Sequence, residues 1–482
     1  ILIFISPILM PDPPLLGIRI EESSQIPLFE QLYTHLRERI INEKLSAGSR
    51  LPPSRRLAEE LGISRTTVIS AYEQLIDEGF AYSIRGSGVY IGKTGELELL
   101  ETIRNNYPGR PSHTKSSEHL KPFYPGRPDE RLFPYRQWAR AVARVARNQP
   151  ESLVKVRGPF GDHELRFEIC RYLADWRGIH AQPEQIVITA GAGDALELSI
   201  RTLNPGIKGI GLEDPGYPPL RNFAHSLGLP RHYLAMDDKG AVAPSAGSKD
   251  SSPGLVVLTP SSQFPLGGVM PPGRRSDFIE WAAQTGNWII EDDYDSEFRY
   301  AGRPIPAMSG LDPYQRTLYI GSFSKVFSNG LRLGFIVLPP ALIADFSTSL
   351  TRFGSNACVV PQRPLAQFLQ QGDYYRHIRR VRRIYAERRA MLIELLTVEL
   401  ANRVKFSDHR AGMQLAVSFP GIASDTILAR DAEKTGIACL PLSSYYASTP
   451  PCQGLLLGFC SFTEEEMSMA MGELAKVVDR FV

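Results

Sequence analysis

From Pro27 to Leu45 the apolar residues Leu28, Leu32, Leu36 and Ile40 recur at every fourth position, which predicts an amphipathic helix with one buried stripe. The "LSAG" that follows ends it. Ser54 is expected to cap a second, short helix, "RRLAEEL", that stops at Gly62, and Ser64 a third, "RTTVISAYEQLIDEGF". That third helix would bury Val68, Ala71, Tyr72, Leu75 and Ile76 and leave Arg65, Thr66 and Thr67 on its outer first turn. "FAYSI" and "VYIG", joined by "RGSG", then alternate as two short strands around a glycine turn. Three helices and such a hairpin form a winged helix-turn-helix over residues 25–92, a mainly α unit.

Residues 93–122 lose periodicity and gain Pro, Gly, Ser and charge, the composition of a linker. From residue 123 to 482 helix-like runs alternate with short apolar strands: "QIVITAG", "GIGLE", "GLVVLTP", "WIIEDD", "LYIGSF" and "GFIVL". That rhythm predicts an α/β domain built on a parallel or mixed sheet, with a smaller C-terminal lobe from about residue 375.

Composition adds limits. A chain of 482 residues with 43% hydrophobic and 22% charged content has room for more than one domain. A net charge of +2 argues against both a nucleic-acid coat and a membrane-surface protein, so any nucleic-acid face must be local. Between Arg50 and Ile91 five arginines meet five acids, so the head itself lacks a basic excess. Cys170, Cys358, Cys439, Cys452 and Cys460 are odd in number and lack CxxC spacing, which suits reduced core thiols in a cytoplasmic protein. "ILIFISPILM" has no basic flank and is too short to span a bilayer. Residues 1–24 are expected to be a disordered lead, with Met10 a candidate start, and no membrane segment is expected elsewhere.

In a winged helix-turn-helix the N-terminal residues of the recognition helix touch base edges in the major groove, while neighbouring elements hold phosphates. Arg65 can pair with a guanine edge, and Thr66 and Thr67 with bases or phosphate. Arg55, at the start of the second helix, and Arg85 with Gly86 at the wing tip are candidates for backbone contacts. A small protein-interaction domain is the other reading of this pattern.

In the larger domain, chemistry gathers after the strands, where ligands bind in open α/β sheets. "AGAGDALEL" sets small residues, Ala192 and Gly193 among them, at the start of a helix whose N-terminus favours an anion. "EDPGYPP" places Tyr217 on a loop; "WIIEDDYDSEF" adds Asp292 and Tyr294; "SFSKVFSNGLRLGF" adds Ser322, Ser324, Lys325 and Arg332. Singly, each has a structural explanation: a glycine turn, a packed ring, a cap, a solvated lysine. Together they match what a phosphorylated pyridine aldehyde needs. Lys325 would form the Schiff base and Asp292 hold the ring-nitrogen proton. Tyr294 would donate to the ring oxygen and Tyr217 stack, while Ala192, Gly193, Ser322, Ser324 and Arg332 surround the phosphate. Pyridoxal 5′-phosphate is the cofactor so inferred.

Over about 65 residues, with "LPPSRRLA", "SRTTV" and "RGSGVY" as its most specific stretches, the head resembles GntR-family bacterial transcription regulators. The resemblance implies that Arg55, Arg65, Thr66, Thr67, Arg85 and Gly86 face DNA. The remainder resembles fold-type I aminotransferases, and the joint resembles the MocR subfamily, whose motifs are close to "TPSSQFPLGGVMPPGRR", "IIEDDYDSEFRY" and "SFSKVFSNGLRLGF". It implies a pyridoxal-phosphate-dependent, DNA-binding regulator that reads a double-stranded operator. Its effector would be pyridoxal phosphate itself or an amine or amino acid that forms an aldimine. The resemblance also implies a head-to-tail homodimer with swapped heads, and Tyr294 in place of the usual asparagine at the ring oxygen, since Phe264 stands at the asparagine's position. A working aminotransferase carrying a DNA-binding module is the alternative. Three positions depart from the relatives: Ser262 replaces a histidine, Val156 replaces a tyrosine, and Leu456 stands where aminotransferases bind the substrate carboxylate with arginine. Arg221 is a candidate substitute for that arginine.

Overall fold

A computed structural model of the chain describes residues 18, 20–21, 24, 26–42, 44–92, 121–155, 158–245, 253–302 and 305–481. Residues 93–120 of the linker expected over 93–122, most of the expected lead, and Val156 lie outside the described residues. The chain divides into two compact units, Ile1–Ser117 and Glu118–Val482.

In the first unit, α1 (Leu28–Ile41), α2 (Ser54–Leu61) and α3 (Arg65–Asp77) precede an antiparallel hairpin of β1 (Ala81–Ile84) and β2 (Gly88–Ile91). Leu32, Leu36 and Ile40 of α1 pack against Leu57 of α2 and Val68, Ala71 and Leu75 of α3, which makes the fourth-position stripe the core of the head. Ile76 is only half-buried. Ile18 joins this core, so packing reaches back before the expected start at residue 25. Helix α1 stops at Ile41, short of Leu45, which is nonetheless buried. Ser64 caps α3 as expected, its Oγ accepting from Thr67 N at 3.1 Å. Ser54 does not cap α2: the helix already includes it, Pro53 precedes, and the Ser54 Oγ instead accepts from Arg65 Nε at 3.3 Å. Gly86, at φ +80°, supplies the left-handed turn of the wing tip.

The second unit is built on β3 (Ile186–Thr189), β4 (Ile210–Leu212), β5 (Arg231–Tyr233), β8 (Leu255–Leu258), β9 (Trp288–Asp293), β10 (Thr317–Ser322) and β11 (Gly334–Val337). A small ribbon, β6 (Met236–Asp237) with β7 (Gly240–Ala241), interrupts the series. The seven strands lie in the order β3-β11-β10-β9-β8-β4-β5, with β11 antiparallel to both neighbours and every other pairing parallel. Helices cover both faces, which is why the strands read as apolar runs rather than alternations. Alternate residues still go to different cores. Val187, Ile290, Ile320 and Ile336 pack on one side, and Ile186, Ile188, Tyr319 and Phe335 on the other. All six expected strands are present; the short edge strand β5 carried too little apolar pattern to be read.

The smaller lobe holds a four-stranded antiparallel sheet, β12 (Lys405–Phe406), β13 (Gln414–Ser418), β14 (Leu440–Pro441) and β15 (Gly454–Gly458), in the order β12-β13-β15-β14. The chain's earlier segment also enters this lobe: Pro122 O accepts from Ala438 N at 2.9 Å and Phe123 O from Gly458 N at 2.8 Å. Cys439 and Cys460 are buried as expected, but Cys358 and Cys452 are exposed, so these two are not core thiols. Among the described residues no helix is long and apolar enough to cross a membrane.

Asp214 ties the lobe to the large sheet. Buried to 1% exposure, its carboxylate accepts from the backbone of Ala447, Ser448 and Thr449 at 2.8, 2.8 and 2.9 Å and from the Ser448 hydroxyl at 2.7 Å. Burial pushes the carboxyl up, but the Ser448 hydroxyl and the three amides outweigh it and hold the group below its ordinary range. Asp214→Ala leaves buried donors unpaired and is expected to cost about 3 kcal/mol, read as a lower urea midpoint at unchanged m-value. A depressed carboxyl stabilises fully above its unfolded value of about 3.9 and loses that contribution as pH falls through the folded value, so the wild-type advantage should vanish in acid.

Candidate functional site

A cavity of about 300 Å³ opens beyond the ends of the parallel strands and is closed from the other side by Gln414 and Leu456 of the small sheet. Among the residues singled out in the sequence, Ala192, Gly193, Tyr217, Asp292, Tyr294 and Lys325 line it. They come from four segments that are far apart in the chain, after β3, β4, β9 and β10, and meet because the order β3-β11-β10-β9-β8-β4 sets those strand ends side by side.

Lys325 sits in the loop after β10, half-buried, and its Nζ donates to Gly126 O at 2.6 Å. Burial pushes the amine down; Asp295 opposes, Arg127 adds to the push and Asp292 opposes. A lowered amine carries more of the neutral form that can attack a carbonyl. Gly126 has φ +70°, and a Cβ there would stand 3.1 Å from the Lys325 Nζ, so this glycine makes room for the amine.

The pleat of β9 separates its two terminal acids. Asp293 points into the body, 2.7 Å from the Tyr319 hydroxyl that donates to it and 2.8 Å from Arg177 Nε. Asp292 points to the cavity, and its buried Oδ1 has no hydrogen-bond partner among the described residues. Burial, then the charges of Asp293 and Glu213, push the Asp292 carboxyl up to about 7, with Lys325 opposing. A half-buried carboxylate with one buried oxygen left open is suited to receive a cationic N–H from a ligand. Glu213 stands in the same wall, its Oε2 accepting from Thr259 N at 3.2 Å and Thr259 Oγ1 at 2.5 Å. Burial pushes its carboxyl up to about 7, against those hydrogen bonds.

Phe264 anchors the aromatic wall, meeting Tyr217, Tyr294 and Tyr445 edge to face at 5.7, 5.7 and 5.3 Å between ring centres. Tyr217 keeps 43% exposure, an open ring face for a flat ligand. The Tyr294 hydroxyl donates to Ser262 O at 3.0 Å.

The anion cradle lies at the helix Ala192–Leu203, entered through Gly191 at φ 103°. Its first amides have no intrahelical acceptor, and the Ser324 Oγ stands 3.8 Å from where a Gly191 Cβ would be. The acid of this turn, Asp194, is occupied by Ala190 N and Asn356 Nδ2, both at 2.8 Å. Ser322, Ser324 and Arg332 are not in the cavity wall, although Ser324 lies next to the Gly191 turn. Ser322 accepts from Ser324 N at 3.2 Å and so shapes the loop; Arg332 is exposed, with φ +49°, at the end of the turn Asn329–Leu331.

An orphaned carboxylate, an amine with its own recess, an open aromatic face and a helix N-terminus fit pyridoxal phosphate. Lys325 would hold it covalently, Asp292 at the ring nitrogen and the Ala192–Gly193 turn with Ser324 at the phosphate. Its pyridine ring, when bound, supplies an electron sink. Leu456, 1% exposed, lies in the cavity wall on β15, while Arg221 donates to Tyr445 O and Ser444 O, both at 3.4 Å. Sequence reading missed Glu213, Gln414 and Tyr445. Glu213 directly follows a strand in "GIGLEDPGY", a signal that could have found it; Gln414 and Tyr445 come from the small lobe and carry none.

In the head, Arg55, Arg65, Thr66, Arg85 and Gly86 are exposed and Thr67 is half-buried. The hydroxyls of Thr66 and Thr67 lie 2.7 and 2.8 Å from the Ser64 Oγ, so in the free protein both turn toward the cap.

Residues 28–91 match the gntR family of bacterial regulatory proteins and residues 127–474 match aminotransferase class I and II. The probable rhizopine catabolism regulatory protein MocR of Rhizobium meliloti is 34% identical, with 94% of each chain covered. The pyridoxine biosynthesis transcriptional regulator PdxR of Corynebacterium glutamicum is 33% identical, covering 95% of this chain and 97% of its own. Among solved structures, an archaeal alanine:glyoxylate aminotransferase superposes with a TM-score of 0.69 at 24% identity, over 75% of this chain and 91% of its own. The α-aminoadipate aminotransferase LysN of Thermus thermophilus gives 0.66 at 24% identity, over 74% and 92%. The chain belongs to the MocR-type branch of the GntR family of HTH-type transcription regulators, in which a winged-helix head is fused to a fold-type I aminotransferase domain.

Proposed function

We propose that this regulator binds pyridoxal 5′-phosphate through Lys325 and that occupancy of the cavity, by the cofactor alone or by an amine or amino acid exchanging onto it, alters how the heads engage an operator. The observation that carries this is the meeting of Lys325 with the unpartnered Asp292 in one cavity of a chain that also bears a GntR-type head. A ligand acts by binding one arrangement better than another, which shifts the population between them. The dimer is read as head-to-tail with swapped heads, placing two recognition helices on one operator. The protein acts in the cytoplasm.

A second reading, an active aminotransferase, has the same lysine and carboxylate in its favour. Against it stand Leu456 in the wall and an Arg221 already bound to two carbonyls, which leave a substrate carboxylate without a free bidentate partner.

The test is DNase footprinting of the region upstream of the protein's own gene, with and without pyridoxal phosphate. A footprint whose position or half-saturation changes with the cofactor is expected, and Arg65→Ala should weaken it by roughly 1–3 kcal/mol, about tenfold or more. A footprint indifferent to the cofactor defeats the sensor reading. Brisk turnover of amino acids with an oxoacid acceptor would favour the enzyme instead.

A further inference from the structure

The helix Tyr135–Asn148 carries Arg136, Arg140, Arg144 and Arg147 and no acid. At helical spacing these four share a face, opposite the buried Ala141 and Val145. Arg136, Arg140 and Arg147 are exposed and Arg144 is half-buried. Among the described residues none of the four has a carboxylate within ion-pair distance. That is not this chain's habit. Four of its other helices set an acid three or four positions from a cation: Arg56–Glu60, Arg201–Glu197, Arg376–Asp373 and Lys476–Glu473. Like charges four apart oppose the helix by about 0.2–0.5 kcal/mol a pair, so the stripe weakens the element that bears it.

A second basic helix adjoins it. Asp373–Leu395 exposes Arg379 and Arg383, again without ion pairs among the described residues. His377 of that helix and Trp138 of the first both pack against Phe327, and Arg380 donates to Leu132 O, just ahead of the first helix. The two arginine-bearing helices therefore share one corner of the aminotransferase-like unit, with the helix Gln362–Gln370 against both.

We propose that this basic corner binds the phosphate backbone of duplex DNA, a second contact beside the winged helix. The proposal rests on the reading of the head as DNA-binding. Charge complementarity selects the occupant: planar guanidinium groups bind phosphate oxygens in pairs. Arginines four apart rise about 6 Å along a helix, close to two phosphate steps of a strand at about 3.4 Å each. The head needs such help, since five acids there cancel its five arginines between Arg50 and Ile91. Covalent tethering through residues 93–120 would make the second contact effectively intramolecular once the first has formed.

The experiment uses full-length protein loaded with pyridoxal phosphate and a fluorescent random-sequence duplex of about 60 base pairs, with affinity followed against salt concentration. Each arginine that neutralises a phosphate contributes about 0.9 to the slope of log K on log salt, so Arg136→Gln/Arg140→Gln/Arg144→Gln should flatten it by up to about 2.7 for each protomer. Arg379→Gln/Arg383→Gln, from the second helix, should flatten it independently. The thermal midpoint and the visible cofactor band establish that each variant is folded and loaded. Slopes equal to wild type in both variants, with Arg65→Ala still weakening footprints, overturn the basic corner and leave the head reading intact. Flattened slopes beside an Arg65→Ala protein that binds like wild type would instead count against the head.

Discussion

Lys325→Ala protein is expected to retain no visible cofactor band after pyridoxal phosphate is added and the mixture is desalted, while wild type keeps a band of one cofactor per chain. A Schiff base with the aldehyde needs an amine, and Lys325 is the lysine that lines the cavity. Among the described residues its Nζ has one acceptor, Gly126 O, and burial pushes it toward its neutral, reactive form. The remaining contacts, at the Ala192–Gly193 turn and Asp292, would still hold the molecule non-covalently. A loss in affinity on the order of a hundredfold, about 2.7 kcal/mol, follows from removing the bond alone. Lys325→Arg separates charge from chemistry, because it keeps a cation beside Asp292 but cannot form the bond. Footprints of both variants should no longer respond to pyridoxal phosphate. A band that survives desalting in Lys325→Ala would move the attachment to another lysine and undo the cavity assignment.

The second large effect is a reversal of pH dependence on loading. In the unloaded protein Asp292 and Glu213 are each pushed up to about 7. A carboxyl raised in the folded state holds its proton there while the unfolded chain has released it. Its contribution is complete below the unfolded value, near 4, and is lost as pH rises through about 7. The unloaded protein should therefore lose stability between about pH 4 and 7, on the order of 2–4 kcal/mol per carboxyl, read as a falling thermal midpoint. Asp214 works in the opposite sense but only in acid, so the two slopes separate. Asp292→Asn and Glu213→Gln should each flatten part of the decline. A bound pyridinium gives Asp292 a cationic partner, lowers its carboxyl and should level or invert the slope. A midpoint of unloaded wild type that holds steady or rises over this range would mean that Asp292 does not face the cavity as an unpaired acid.

The head was nearly all legible in the sequence because its contacts are local. Leu32, Leu36 and Ile40 meet Leu57 and Val68 within a few turns, and Ser64 caps the helix that follows it. Its errors lay at edges, where Pro53 displaced Ser54 from the cap and Ile18 packed unannounced. The body's strands were legible too, since burial on both faces writes them as unbroken apolar runs. The site was legible in part. Lysine, acid and aromatic each follow a strand, and strand ends are where such sheets bind ligands.

What the sequence determined by itself was therefore the winged helix, the α/β body and the residue types that suit pyridoxal phosphate. It could not assign their surroundings. Whether Asp292 or Asp293 faces the ligand depends on the pleat of β9 relative to β8 and β10, a matter of register between residues 28 and 33 positions apart in the chain. That Gln414, Tyr445 and Leu456 share one wall with Lys325 depends on how the small lobe closes over the sheet, and that Glu213 joins them depends on β4 lying two strands from β9. Ser322, Ser324 and Arg332 fall outside that wall although they flank Lys325 in sequence: Ser322 ends β10 and accepts from Ser324 N, Ser324 sits by the Gly191 turn, and Arg332 is exposed. Periodicity records burial against near neighbours; the chemistry of a cavity is set by residues that the chain brings together from far apart.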